Sequence, residues 1–380
     1  MALNDIVPAP LEDWLRDRYF DLPLDISGSG VQDYSLGELR ERLGIPVGEL
    51  DALVFRDSPS LGCLPLRELI ARRVGTGRPD RIMVTHGSTE ALFLALTALV
   101  RPGDEIVVLR PAYQSLSSIA EALGARLVPW ILDPADGFRP DLERLRAALT
   151  ARTRAVVVNF PHNPTGTTLG HDQYAELLGL LEGHPCHLLW DAASADLTYR
   201  DAPLPDPSAS LPRVISVGTL SKAYGLPGLR VGWCSAPAGL VEDMVRIRDY
   251  VSISTSPLAE LLATAVLRDP EALLRPRLRQ AAANREVLLG WAVDNADLVA
   301  LPEPLGGVAA FPAVLGGLDS DALCHALERR GALAVPGSCF GHPDRMRIGF
   351  GGHPEQFRNG LDLLVDTMRQ RHPSPSGATS

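Results

Sequence analysis

From about residue 80 the chain alternates short, continuous apolar runs with longer stretches whose apolar positions recur every three or four residues. RIMVT (81–85), EIVVLRP (105–111), RAVVVNF (154–160), HLLWDA (187–192), VISVG (214–218) and RVGWCSA (230–236) read as strands. TEALFLALTALV (89–100), RPDLERLRAAL (139–149) and YAELLGLLEG (174–183) read as helices. Strands that are apolar throughout are covered on both faces. Alternation of strand and helix gives a mainly parallel sheet between helix layers, so the predicted fold class is α/β. Residues 240–292 are helix-rich, with Pro257 and Pro270 breaking the run, and the arginines of RPRLRQAAANREVLLGWA mark a solvated helix face. Beyond about 295, GGVAAFPAV, LCHALERRGALAVPG and MRIGF predict a smaller α/β domain. Residues 1–45 mix Pro, Gly and aromatics around one short helical stretch, LEDWLRDRYF. The expected organisation is an N-terminal arm (1–45) contributing to the small domain and the site, a large domain (46–290), a small C-terminal domain (291–370) and a disordered tail (371–380).

Composition narrows the function. The chain has 380 residues, 46% hydrophobic and 22% charged, which describes a globular protein. A net charge of −10 without a basic block argues against nucleic acid or an anionic membrane as partner. The apolar run 91–100 is too short to span a bilayer, and the first twenty residues lack the basic and apolar regions of a signal peptide. The five cysteines are scattered, odd in number and without a CxxC pair, which fits free thiols in a cytoplasmic setting and no metal site. No G-x-G-x-x-G follows an early strand, which excludes a dinucleotide-binding dehydrogenase.

One compositional fact points to chemistry. Lys222 is the sole lysine of the chain, while the other members of the Lys+Arg count of 36 are arginine. Arginine supplies surface charge and ion pairs but never a neutral amine; lysine can. Open α/β sheets bind ligands at the carboxyl ends of their strands, and polar residues collect there. HGSTEA, with Gly87, Ser88 and Thr89, is a small-residue turn into a helix: an anion site or an ordinary N-cap. Tyr113 follows the next strand, as a packed loop aromatic or as a stacking partner for a planar ring. Asn163 lies in PHNPTG, a plain turn or an amide aimed at a polar ring substituent. Asp191 ends a buried strand and needs a partner there: a cationic ring nitrogen, a helix cap or a core arginine. Thr219, Ser221, Lys222 and Arg230 then bring two hydroxyls, one amine and one guanidinium into a glycine-rich loop, suited to a phosphate and a carbonyl. Pyridoxal 5′-phosphate needs this whole set together.

The series THGSTEA, PAY, NFPHNPTG, LLWDAAS, TLSKAYGLPGLRVGW and MRIGF resembles the fold-type I pyridoxal-phosphate enzymes of the class I/II aminotransferase family over nearly the whole chain. The resemblance implies that Lys222 forms the Schiff base with the cofactor and that Gly87, Ser88, Thr89, Thr219, Ser221 and Arg230 surround the phosphate. By the same resemblance Tyr113 stacks on the ring, Asn163 approaches its phenolate oxygen, and Asp191 meets its pyridinium nitrogen. Ser194 stands on the cofactor side where the family usually carries a tyrosine, and Asp57 stands where it often carries another. Arg347 is implied as the clamp for a substrate α-carboxylate, and the family is usually a homodimer with active sites at the subunit interface. APLEDWLRDRYF, DISGSGVQDYSLGELR and FRDSPSLG lie outside the generic motifs and are similar to a cyclase branch of the family that dehydrates and cyclises 3-hydroxyarginine in antibiotic pathways. On that similarity Ser29, Gly30, Asp33 and Asn163 join Arg347 at the substrate, and Asp33 and Asp57 are candidates to deprotonate its guanidine, or else plain surface acids. An ordinary aminotransferase on the same scaffold is the alternative activity.

Overall fold

The computed structural model describes residues 6–371; of the expected tail, 372–380 lie outside the described residues. Seven strands form the main sheet: β1 (Ile82–Thr85), β2 (Glu105–Arg110), β3 (Arg126–Ile131), β4 (Thr153–Asn159), β5 (His187–Asp191), β6 (Val214–Thr219) and β7 (Gly232–Ser235). Their spatial order is β1-β7-β6-β5-β4-β2-β3, and β7 alone runs against its two neighbours. The α/β fold with a mainly parallel sheet is therefore borne out. Strands β1, β4, β5, β6 and β7 are buried almost throughout, as continuous Val/Ile/Leu runs demand. One face packs against helices Gly87–Leu99 and Ala238–Arg248, the other against Leu142–Ala148 and His171–Glu182.

Strand β3, RLVPWI, escaped the sequence pattern for a physical reason. It is the sheet edge, half-solvated, with Pro129 in its middle, and only Trp130 is fully buried. The arginine-rich helix Glu271–Asp294 also departs from expectation. Arg277, Asn284 and Arg285 are buried rather than solvated. Each has polar acceptors inside: Arg277 reaches the Asp33 carbonyl, Asn284 the Phe350 and Gly352 carbonyls, and Arg285 the Pro304 carbonyl.

The smaller C-terminal layer holds an antiparallel trio, Ala309–Ala310, Met346–Gly349 and Val335–Pro336, packed on helix Pro354–Arg371. The N-terminal segment is built into it: Leu24–Asp25 pairs in parallel with Ala332–Leu333. Residues 26–34 then run as a strap between this layer and the Lys222 loop. The Ile26 N–H donates to Leu333, the Gly349 N–H to Ile26, the Val31 N–H to Lys222 and the Tyr34 N–H to Gly225, at 2.8–3.1 Å. The approach is so close that a Cβ on Gly349 would overlap the Gly28 carbonyl. Gly349→Ala is expected to lower folding stability by about 3 kcal/mol or more, since the blocking atoms are backbone; a thermal melt within a degree of the parent refutes this account of the strap.

Candidate active site

The strap, the small layer and helix Pro10–Arg16 roof a cavity of about 860 Å³ over the carboxyl ends of the parallel strands. Lys222, Asp191, Asn163, Arg347, Ser88, Thr89, Tyr113, Ser194, Ser221, Arg230, Ser29, Gly30 and Asp33 all line it. Residues as far apart in sequence as 29 and 347 thus share one wall.

Lys222 follows β6, and its Nζ donates to Ser29 Oγ at 3.0 Å. Burial, then the Arg347 guanidinium, pushes the amine down to about 8. Its charged form is costly here, so a neutral, nucleophilic amine is accessible near pH 8. Asp191 closes β5, in register with Asn159 on β4 and Val217 on β6. It is 5% exposed, and burial pushes its carboxyl up to about 6 against the Ala193 N–H, which donates to Oδ1 at 2.9 Å. A buried carboxyl held at the edge of ionisation is suited to a cationic ring nitrogen, which would complete its ionisation and offset its desolvation.

The anion end is built from close backbone packing. Helix Gly87–Leu99 starts at the carboxyl end of β1, its first-turn N–H groups lack intrahelical acceptors, and Ser88 and Thr89 bring hydroxyls to the cavity. Gly232 lies so near that a Cβ there would overlap the Gly87 and Ser88 backbone, and a Cβ on Gly87 would overlap the Arg230 guanidinium. Arg230 itself takes a left-handed backbone (φ 54°), uncommon for a branched or long side chain, and donates to the Pro227 and His86 carbonyls at 3.0 and 3.3 Å. This cradle of hydroxyls, free N–H groups and guanidinium fits a phosphate.

Arg347, on strand Met346–Gly349, is 1% exposed. Its Nη1 donates to Asn163 Oδ1 at 3.2 Å and its Nη2 to the Ser27 carbonyl at 2.7 Å, while its Nε has no partner among the described residues. Burial pushes the guanidinium down to about 10. A buried cation with an unused N–H on a cavity wall is suited to a carboxylate. The bond to Arg347 also occupies the Asn163 amide oxygen, which leaves its NH₂ as the group free to donate.

Two of the residues expected at the cofactor stand behind the wall. The Thr219 hydroxyl bonds the Val231 carbonyl and the Ser221 hydroxyl at 3.0 and 2.9 Å and so orders Ser221; Gly87 gives close packing rather than a contact surface. Asp57 is exposed and off the cavity wall. Several contributors were not foreseen. Asn159 Oδ1 accepts the Asn163 N–H at 2.8 Å. His162 is buried between the Pro111 carbonyl and the Thr165 hydroxyl, both at 2.8 Å, and burial pushes it down to about 4, so it stays neutral and ties the Tyr113 loop to the Asn163 loop. Asp25 Oδ1 accepts from Ser27 N at 2.7 Å and Ser27 Oγ at 2.6 Å, which orders the carbonyl that holds Arg347. Glu12 accepts from the Tyr113 hydroxyl at 3.0 Å and from Gln114 at 3.2 Å, closing the N-terminal helix over the cavity. Of these, Asn159 and His162 stood in the quoted NFPHNPTG with their polarity visible; Glu12 and Asp25 carried no signal apart from their place in the arm.

No helix among the described residues is long and apolar enough to cross a membrane, and no group of metal-ligating side chains is found among them. Comparison with known proteins agrees with the geometry. A capreomycidine synthase of Streptomyces vinaceus is 53% identical over 363 residues, 95% of this chain and 93% of the relative. The crystal structure of the PLP-dependent cyclase OrfR superimposes with a TM-score of 0.90 at 40% identity, covering 96% of this chain and 98% of that one. An aspartate aminotransferase of Rhizobium meliloti is 28% identical over 90% of this chain and 88% of its own length. The pattern that defines aminotransferase class I and II matches residues 57–364. The lone amine, the strand-end carboxylate, the hydroxyl-and-guanidinium turn and the buried Arg347 thus occur in a chain that belongs to the aminotransferase class I and II family.

Proposed function

We propose that this protein is a pyridoxal-phosphate-dependent cyclase that removes water from 3-hydroxyarginine and closes the guanidine onto Cβ, giving the cyclic amino acid capreomycidine for peptide-antibiotic biosynthesis. The observation that carries this reading is the 53% identity to a capreomycidine synthase across 95% of the chain, against 28% to an aspartate aminotransferase. The cofactor is pyridoxal 5′-phosphate. Its phosphate would lie against Ser88, Thr89, Ser221 and Arg230, its ring against Tyr113, its ring nitrogen at Asp191, its phenolate oxygen near Asn163, with Ser194 beside it, and its aldehyde carbon at Lys222. Bound there, it supplies an electron sink for charge that develops at the substrate Cα.

The protein's own groups do the rest. Arg347 fixes the substrate α-carboxylate, with Asn163 and Ser27 holding the guanidinium in place. With cofactor and substrate bound, the Lys222 amine would serve as the base for the Cα proton. Its lowered pKa lets it both take that proton and return it near neutral pH. Ser29 Oγ, 3.0 Å from Nζ, steers the amine and marks where the strap meets substrate; Gly30 lets that strap pass close to the Ser221 carbonyl. Hydroxide leaves Cβ and a guanidine nitrogen adds there, so the net change is loss of one water. The tether makes the addition intramolecular, with effective molarities that reach ~10⁵ M in well-oriented cases.

The reading extends to assembly as a homodimer. Val54, Phe55, Tyr250 and Ile253 are exposed apolar side chains on segments joined through Arg248, which donates to the Ser60 carbonyl. Ser252 bonds Glu90 in the first turn of the phosphate-cradle helix. A second copy covering this surface would bury it beside the site.

Three outcomes are expected. Purified protein incubated with 3-hydroxyarginine and no keto acid should yield a product lighter by one water that retains its amine; strict dependence on a keto-acid acceptor, with a keto-acid product, points to an aminotransferase instead. Lys222→Met should abolish borohydride-stable attachment of the cofactor. It should also stabilise the cofactor-free fold at pH 7 by up to roughly 3 kcal/mol, because the native amine titrates near 8 rather than 10.5. The sign follows from proton counts: between pH 8 and 10.5 the unfolded chain carries a proton on Lys222 that the folded chain has lost, so the variant's advantage over the parent shrinks as pH rises through that window. A difference between parent and variant that is level across that range would contradict the burial argument. Sedimentation at micromolar concentration should give twice the 40.9 kDa chain mass, and a monomer that is fully active would exclude the shared-site arrangement.

A further inference from the structure

We propose that Asp33 is the specificity-determining residue for the far end of the substrate: its carboxylate is the counter-charge that selects a cationic side chain over an uncharged one of the same shape. This rests on the reading of the cavity as a site for a hydroxylated arginine. Four carboxylates line the cavity: Glu12, Asp25, Asp33 and Asp191. Three are committed. Glu12 holds Tyr113 and Gln114, Asp25 orders Ser27 beneath Arg347, and Asp191 takes the Ala193 N–H at the place suited to a ring nitrogen. Asp33 alone has no hydrogen-bond or ion-pair partner for its carboxylate among the described residues.

The backbone that carries Asp33 is, by contrast, tied down on every side. Three residues one helical face apart on Glu271–Asp294 hold it. Arg277 stacks on the Tyr34 ring at 4.1 Å and donates to the Asp33 carbonyl at 2.9 Å. Gln280 bridges Gln32 Oε1 and the Gly352 carbonyl at 2.9 and 2.8 Å, and Asn284 bonds the Gly352 carbonyl at 2.9 Å. From the other side the Gln32 N–H donates to Gly351 and the Tyr34 N–H to Gly225, both at 2.9 Å. Such bracing costs conformational freedom, yet the carboxylate takes no part in it. Burial pushes the Asp33 carboxyl up, and the Asp25 charge adds to this, while Arg277 and Lys222 oppose it; Asp33 and Lys222 both line the cavity. Asp33 therefore faces the same space as the amine. A substrate seated with its carboxylate on Arg347 and its α-amine at Lys222 would carry its side chain toward the one acid left unpaired. Charge placed on a rigid element discriminates better than charge on a mobile one, because no ordering cost is added on binding.

The test is calorimetric titration of the pyridoxal-phosphate-loaded protein with arginine and with citrulline, which differ in charge but hardly in shape. The parent should bind arginine about five- to tenfold more tightly, the range for a partly solvated pair. Asp33→Asn should bring the ratio to about one while citrulline binds as before, and Asp33→Glu should restore part of the preference. Equal binding of both ligands by the parent, an undiminished ratio in Asp33→Asn, or equal loss of both ligands in that variant would overturn the assignment. A parent that prefers arginine but returns no cyclic product from 3-hydroxyarginine sinks the reaction reading and leaves the subsite standing.

Discussion

The site depends on the cost of burying charge. Lys222, Arg347 and Asp191 are buried on the lining of one cavity, and each is displaced from its ordinary titration by that burial. The displacement is what makes them useful. An amine pushed down to about 8 is available as nucleophile and base, a carboxyl pushed up to about 6 accepts a cationic ring nitrogen with a gain, and a guanidinium with an unused N–H has more to gain from a carboxylate than a solvated one. Two cations and one anion so placed cost folding free energy, which ligands that bind only the folded state would offset.

The parallel sheet makes the arrangement possible. Adjacent strand ends set Asn159 beside Asp191 in register, so groups 32 residues apart in sequence meet without any flexible loop between them. The remaining side of the cavity is supplied by the strap of residues 26–34 and the strand that carries Arg347. These pack backbone to backbone through Gly28 and Gly349, and through Gly30 against the Ser221 carbonyl. Glycine is needed at Gly349 for space alone, whereas at Gly87 it also satisfies a left-handed backbone (φ 76°). Rigidity at this seam matters for a cyclisation, since the gain from tethering is lost when the reacting ends are not held in line.

The specific part of the chemistry resides in what surrounds the shared machinery. Ser194 and the paired Glu12–Tyr113 contact lie on the cavity wall, and the N-terminal helix that carries Glu12 is pinned by Trp14 donating to the Ala334 carbonyl at 2.9 Å. The same scaffold can hold the same cofactor for different reactions, because function resides in the site rather than in the fold.

The sequence by itself determined the sheet strands that are buried on both faces, since their runs of Val, Ile and Leu admit no other place. It also determined the amine, because Lys222 has no rival in the chain, and the strand-end residues Asn163, Asp191 and Arg230, whose types and order suit one cofactor. It could not reveal β3, whose edge position leaves a mixed pattern around Pro129, nor the burial of Arg277 and Arg285, because an arginine in a helix looks solvated until its acceptors are known. Nor could local pattern separate Thr219, which turns its hydroxyl to Val231, from Ser221, which faces the cavity two residues on. Only the tertiary structure decided that, of the arm acids Glu12, Asp25 and Asp33, the first two find hydrogen-bond partners within the protein and the third does not among the described residues. Which carboxylate finds a partner within the protein, and which is left for a ligand, is a matter of three-dimensional neighbours that no period along the chain encodes.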